Sequence, residues 1–283
     1  DHMLPPDNFQ EDPRPALAHR TSPTNLGLYL LSIVTARDFG WAGTLDTVER
    51  LEATLAAMAG LERFRGHFYN WDETRDLRPL EPRYVSSVDS GNLAAHLIAL
   101  ANACDEMATQ QALEPRLSAG IADGMALLRE SLRTPADVQL DEALGALVAQ
   151  LSERPAAPAE LVVHLAALAV RAAAVEQRTK ELAHDRAGAA SAEAVAWAEA
   201  TCRTIASHRR DQEPATNGAE SLRQRLDSLA TTARAMAAAM RFDFLFDPER
   251  KLLSIGYRVQ EGILDPSCYD LLASEARLAS FVA

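Results

Sequence analysis

From Leu26 to Ala36 the chain reads LGLYLLSIVTA, apolar almost without interruption, behind the polar cluster Thr21-Ser22-Pro23-Thr24-Asn25. Capping oxygens around a proline predict a helix start, and a helix apolar on nearly every face is one buried on most sides. Asp38-Phe39-Gly40-Trp41-Ala42-Gly43 breaks it. Thr44 and Asp46 then open a second helix that runs to about Leu61. It is apolar at Val48, Leu51, Leu55, Ala56 and Met58 and polar at Glu49, Arg50, Glu52 and Thr54, the spacing of an amphipathic helix. The pattern recurs. Asp89 to about Met107 is again strongly apolar, and Leu264-Asp265-Pro266-Ser267 predicts the start of another apolar helix, CYDLLASEARLASFVA. Inner helices sheathed by outer ones satisfy this recurrence, which is the plan of an α/α barrel; an irregular helical domain satisfies it too. In a barrel the pocket lies at the loops that enter the inner helices, where free N–H groups and partial positive charge favour oxygen-rich ligands.

Residues 110–240 differ. Alanine is abundant, aromatics nearly vanish, and breaks fall at Pro115, Pro135, Pro155 to Pro158, Gly188 and Gln212 to Gly218. Four or five amphipathic helices fit between them, the last with a coiled-coil-like seam at Leu222, Leu226, Leu229, Ala233, Met236 and Met240. This block reads as an inserted helical bundle with a structural or contact role. Beyond it, Phe242 to Phe246 and Leu252 to Tyr257 flank Asp247-Pro248-Glu249-Arg250-Lys251, which predicts one β-hairpin. The expected fold class is thus all-α: barrel-type helical hairpins, the bundle, and a short hairpin. The expected divisions are an extended proline-rich arm at 1–20, the first hairpins at 21–109 with a pocket loop at 63–88, the bundle at 110–240, and the β-hairpin with a third inner helix at 241–283.

Composition narrows the function classes. A net charge of -12 with no long basic run argues against nucleic acid or an anionic membrane surface as the main partner. Cys104, Cys202 and Cys268 are too far apart for a disulfide framework or a zinc site, and His164, His184 and His208 are too scattered for a metal, so no cofactor or metal is expected. No uninterrupted apolar run reaches the roughly 18 residues that span a bilayer, so no direct membrane insertion by this segment is expected. The chemistry concentrates in Arg63 to Leu97, RFRGHFYNWDETRDLRPLEPRYVSSVDSGNLAAHL, a polar, aromatic loop feeding an apolar helix with capping oxygens at Ser86, Ser87 and Asp89. Aromatic faces beside acids, amides and cations suit a sugar, whose C–H face stacks while its hydroxyls hydrogen-bond. A capped helix with a packed loop uses the same residues.

HRTSPTNLGLYLLSIVTARDFGW, RFRGHFYNWDETRDLRPLEPRYVSSVDSGNLAAHLIALANAC, FLFDPERKLLSIGYRV and LDPSCYDLLASEARLASF resemble the central region of cyclic β-1,2-glucan synthases. The leading LPPDNFQE is similar too, and the alanine-rich block resembles that region in position and character. The resemblance implies a large inner-membrane protein of Gram-negative bacteria that polymerises glucose from UDP-glucose. Its central module, related to endo-β-1,2-glucanases and built as an (α/α)6 barrel, closes the chain into a ring by transglycosylation. It implies a soluble, cytoplasmic segment whose partners are a β-1,2-glucan chain and the neighbouring modules, with the paired catalytic carboxylates downstream of Ala283, so that the segment alone is inactive. VSSVDSGNL resembles the stretch that enters a pocket-lining helix in the glucanases, which makes Asp89 the first candidate for a sugar-hydroxyl contact, with Ser87 beside it. His67, Tyr69 and Trp71 follow as platform or hydroxyl contacts; where relatives place an aromatic after Trp71 this chain has Asp72, which alters that subsite. Glu275 and Arg277, two apart on an apolar helix, do not face each other, and each calls for its own buried partner or a ligand. Tyr257 and Tyr269 are weaker candidates. The alternatives to an enzyme segment are a non-catalytic carbohydrate-binding piece and a helical scaffolding or interaction module.

Overall fold

Three of the four capping clusters mark true helix starts. In the computed structural model, which describes residues 2–109, 114–132, 137–155, 157–185, 189–213, 221–270, 272 and 274–283, the chain is mostly helical with a few short strands. The helices are α1 (Pro23–Asp38), α2 (Thr44–Gly60), α3 (Ser87–Thr109), α4 (Glu114–Ser131), α5 (Val138–Ser152), α6 (Pro158–Asp185), α7 (Ala189–Arg210), α8 (Leu222–Ala238) and α9 (Ser274–Val282). Of the expected breaks, Pro135, Gly188 and Gly218 lie outside the described residues, as does Leu271.

The chain divides into two units: Asp1–Val34, Val48–Thr109 and Glu220–Ala283 form the first, Thr35–Thr47 and Gln110–Ala219 the second. The first unit's core joins Leu26 and Leu30 of α1, Leu51 and Met58 of α2, Leu93, Leu97 and Leu100 of α3, and Leu226, Leu229 and Met236 of α8, with Phe68, Val85 and Leu245 from the loops. From Leu226 to Met240 the seam on α8 is buried as its spacing requires, Leu222 at its start being exposed, but it packs against α3, so the helix read as the end of the inserted block belongs to the first unit. α9 packs on α3 closely enough that a methyl group on Gly91 would run into the Ala279 backbone. The helices read as apolar all round are not fully enclosed: Leu28 of α1 and Ile98 of α3 are exposed.

Short antiparallel strands hold the loops. Phe246–Asp247 pairs with Leu252–Leu253, so the expected hairpin exists, but only at its tip: Phe242–Leu245 is a 3-10 helix, and Gly256–Arg258 turns away to pair with Tyr84–Ser86 on one side and Ile263–Leu264 on the other. The last helix starts at Ser274, well after the expected Asp265-Pro266-Ser267. The intervening segment is held instead by bridging Cys268 to Ser254 and by Ser254 Oγ, which donates to the Asp265 carbonyl at 2.6 Å.

The second unit is a set of amphipathic helices around Ile121, Leu128, Leu140, Leu147, Leu165, Leu168 and Ile205. α6 packs on α5 and α7, and α7 also packs on α4. Asp211 accepts from the Thr44 and Leu45 backbone N–H groups at 2.7 and 2.8 Å and so caps the start of α2. Among the described residues α6 alone is long and apolar enough to cross a membrane by length and composition (Pro158–His184, mean hydropathy 1.6). Its hydropathy comes from alanine, valine and leucine interrupted by His164 and Arg171, a pattern that a search for unbroken runs passes over.

Candidate functional site

The entry to α3 is fixed from below. Ser87 is buried; its Oγ donates to the Ser254 carbonyl at 2.6 Å and its N–H to the Ile255 carbonyl at 3.1 Å. Ser86 Oγ caps the helix by accepting from the Asp89 N–H at 3.2 Å. This leaves the Asp89 side chain, half-buried in the first turn, available to other elements. Thr24 Oγ1 of α1 donates to Asp89 Oδ1 at 2.5 Å and accepts from Asn92 Nδ2 at 3.2 Å. In the amide orientation its neighbours require, Asn70 donates to Asp89 Oδ2 at 3.3 Å and accepts from Trp71 Nε1 at 3.1 Å. The Arg20 guanidinium lies 4.4 Å over the Trp71 ring and pairs with Asp7 at 2.9 Å. One polar chain therefore runs from the N-terminal segment through Trp71 and Asn70 to Asp89.

A second group meets Asp89 from the C-terminal side. Burial, then the nearby charges of Asp89, Glu275 and Asp265, push the Tyr269 hydroxyl above its ordinary range, so all three carboxylates lie within electrostatic reach of it. Tyr84, beside Asp265 and Tyr269, is pushed up to about 12, first by burial. Tyr269 and Ser87 also line a cavity of about 10 Å³ with Ala276 and Ala279, room for about one water molecule and none for a sugar. A ligand at this place must rest on the outer surface around Asp89, Trp71, Tyr269 and Glu275.

Of the remaining candidates, His67, Tyr69 and Tyr257 lie elsewhere. His67 is fully buried: its Nε2 bonds the Arg241 carbonyl at 2.9 Å, and its ring packs edge-on against Phe242 and Phe244. Burial holds its pKa down to about 4. Tyr69 is buried beneath Arg83, with its hydroxyl 3.4 Å from Glu62, which Arg83 pairs at 2.6 Å. Tyr257 stacks on Phe64 at 5.6 Å. Arg277 and Glu275 are both exposed, because Ala276 and Ala279 are the positions that α9 buries; neither needs a buried partner, contrary to the sequence expectation. Thr24, Asn70 and Asn92 were missed as members of the network. Asn92 had a signal, since it stands three residues after Asp89 and so shares its helix face; Thr24 had none beyond its place in a capping cluster.

No family model matches the chain. Cyclic beta-(1,2)-glucan synthase NdvB of Rhizobium meliloti (strain 1021) is 45% identical to it over 296 aligned residues, which take in all of this chain and 10% of that protein. The resemblance read from the motifs thus extends from end to end: the chain is similar to one segment of a cyclic β-(1,2)-glucan synthase and spans about a tenth of its length.

Proposed function

We propose that this chain is a glucan-contacting segment of a cyclic β-1,2-glucan synthase, its α3 entry helping to hold the sugar chain during ring closure. The observation that carries the reading is the identity to such a synthase along the whole chain. The site geometry supports it: Asp89, the rim of Trp71, and Tyr269 with Glu275 gather acceptors and aromatic surface at one helix N-terminus, the combination that polyols need. Transfer between sugars takes one acid for the leaving oxygen and one carboxylate for the other face, and Asp89 is already engaged by Thr24 and Asn70, so its role here is binding. In this reading the helices form part of an α/α barrel and the catalytic carboxylates belong to other parts of the synthase. The segment belongs to the soluble, cytoplasmic portion of an inner-membrane protein, and the buried stripe Leu161, Leu165, Leu168, Ala172 and Val175 makes α6 a bundle helix.

The test is an NMR titration of the chain with linear β-1,2-glucan, which detects even millimolar binding. Resonances of Asp89, Trp71 and Tyr269 should move together. In Asp89→Asn the affinity should fall about tenfold, equivalent to the loss of about one good hydrogen bond to a charged group, while the chain stays folded with its unfolding midpoint lowered by the weakened contacts to Thr24 and Asn70. Shifts confined to other residues, or an unaltered affinity in the variant, would remove Asp89 from the site. One observation favours a second reading for the second unit, a helical interaction module: Val162, Val163 and Val170 stand exposed on α6. A self-association or partner-binding assay that responds to Val163→Ser and Val170→Ser distinguishes it.

A further inference from the structure

Below Asp89, α3 continues a polar face that the binding site described above does not use. Asp89, Asn92 and His96 stand at i, i+3 and i+7, so they share one side of the helix, spread over about 10 Å of its axis. Asp89 and Asn92 are tied to Thr24 of α1. His96 is also held by α1, but by shape: the ring edge carrying Nδ1 lies on Gly27, where any Cβ would collide with Nδ1. The Nδ1 atom is sealed there without a hydrogen-bond partner, whereas the residue as a whole is only partly buried, so its open edge is the one that carries Nε2.

That arrangement fixes the ring chemically. Burial lowers the His96 pKa, which keeps the imidazole neutral near pH 7. A neutral imidazole has one N–H and one bare nitrogen. Placing the N–H at Nδ1 would bury a donor with no acceptor, the rarer and costlier kind of orphan. The proton therefore sits on Nε2, and the ring presents a single, oriented N–H outward on the face that carries Asp89.

Resting on the proposed reading of this chain as a glucan-contacting segment, we propose that His96 is a further ligand contact, its Nε2–H donating to a hydroxyl or ring oxygen of a sugar unit displaced along α3 from the one held by Asp89. Asp89 accepts and His96 donates, so the face discriminates the direction in which the chain lies along the helix. Gly27 is the positioning residue, since its missing side chain sets the ring's orientation.

Imidazole ¹⁵N NMR of the whole chain, titrated with linear β-1,2-glucan, tests this. Free, His96 should show the Nε2–H tautomer at pH 7, and the Nε2 signal should move on titration. His96→Ala should weaken binding about tenfold while Asp89 and Trp71 still respond to ligand, and His96→Gln, which restores a donor, should recover part of the loss. An Nδ1–H tautomer or a charged ring at pH 7 overturns the inference, and so does an affinity unchanged in His96→Ala when Asp89→Asn weakens it, in which case the site reading stands without His96. If Asp89, Trp71 and His96 all stay still at high glucan concentration, the site reading fails and this inference with it.

Discussion

The two units solve the problem of burying polar groups in opposite ways. In the second unit buried polar side chains find partners. Gln150 donates to Glu153 at 2.6 Å, lies 3.3 Å from His164 Nδ1 and accepts from Arg171 at 3.2 Å, while His208 bonds the Gly40 carbonyl at 2.8 Å. In the first unit, Thr21, His67, Asp72, Ser90 and His96 each keep a buried side-chain atom without a partner, and among the described residues every such atom belongs to this unit. Buried polar atoms left unpaired cost stability and persist where something other than stability has shaped the sequence. The alanine-rich helices are built for packing; among the described residues the loop-bearing unit carries the unpartnered buried polar atoms and the non-glycine residues in the left-handed region, Arg65, Leu77 and Lys251 among them. That contrast agrees with where the candidate site lies.

The largest effect should come from the backbone that holds the aromatic loop. Gly66 has φ +87°, and a methyl group there would run into the Ala239 carbonyl. Gly66→Ala should cost about 3 kcal/mol, from the left-handed conformation plus the collision, read as a lowered urea midpoint. A loss below about 1 kcal/mol would mean that the loop relaxes freely around this turn.

Next comes the buried acid. Asp72 is 1% exposed, and burial, reinforced by the charge of Glu62, raises its pKa from 3.8 to about 7. A carboxyl whose folded pKa is raised binds more protons folded than unfolded between those values, so its contribution to stability falls as pH rises from about 4 to about 7, by on the order of 4 kcal/mol in full. His67, held down to about 4, works the other way: its contribution is complete above the ordinary histidine value and is lost as pH falls towards 4. The two slopes oppose each other in the wild-type curve, so the difference between wild type and Asp72→Asn isolates the carboxyl. The variant should gain on wild type between pH 5 and pH 8, and a difference that does not change with pH would show that Asp72 titrates normally. In the second unit the comparable change, Gln150→Ala, should cost only about 1–2 kcal/mol, because it removes neutral and charge-assisted hydrogen bonds from a network.

The helices were legible because capping chemistry and apolar period are local. Thr21 to Asn25, Thr44 with Asp46, and Ser86 to Asp89 mark the starts of α1, α2 and α3 within a few residues. Period shows which face is buried but not what covers it, so the α8 seam was legible while its packing on α3 was not. Strands of two residues carry no period at all, which hid the pairing of Arg20–Thr21 with Asp72–Glu73. At the candidate site, Asp89's place in the first turn of α3 was legible from the capping cluster, and its distant partner Thr24 was not. His67 and Tyr69 shared the loop's composition with Trp71, but only the fold separates a ring turned into the core from one left at the rim.

The smallest effects test that last point most sharply, on α9. Glu275 and Arg277 looked alike in the sequence, two charges on an apolar helix, yet the fold gives them different surroundings. Both are exposed, so neither Glu275→Gln nor Arg277→Ala should change the stability by more than about 0.5 kcal/mol. Only Glu275 is among the charges that raise the Tyr269 pKa. Followed by ¹³C NMR of the tyrosine rings, the Tyr269 ionisation should therefore move to lower pH in Glu275→Gln, and Arg277→Ala should not lower it. If the two substitutions lower it equally, Glu275 has no special relation to Tyr269, and the C-terminal half of the acidic face beside Asp89 dissolves into ordinary solvated charge.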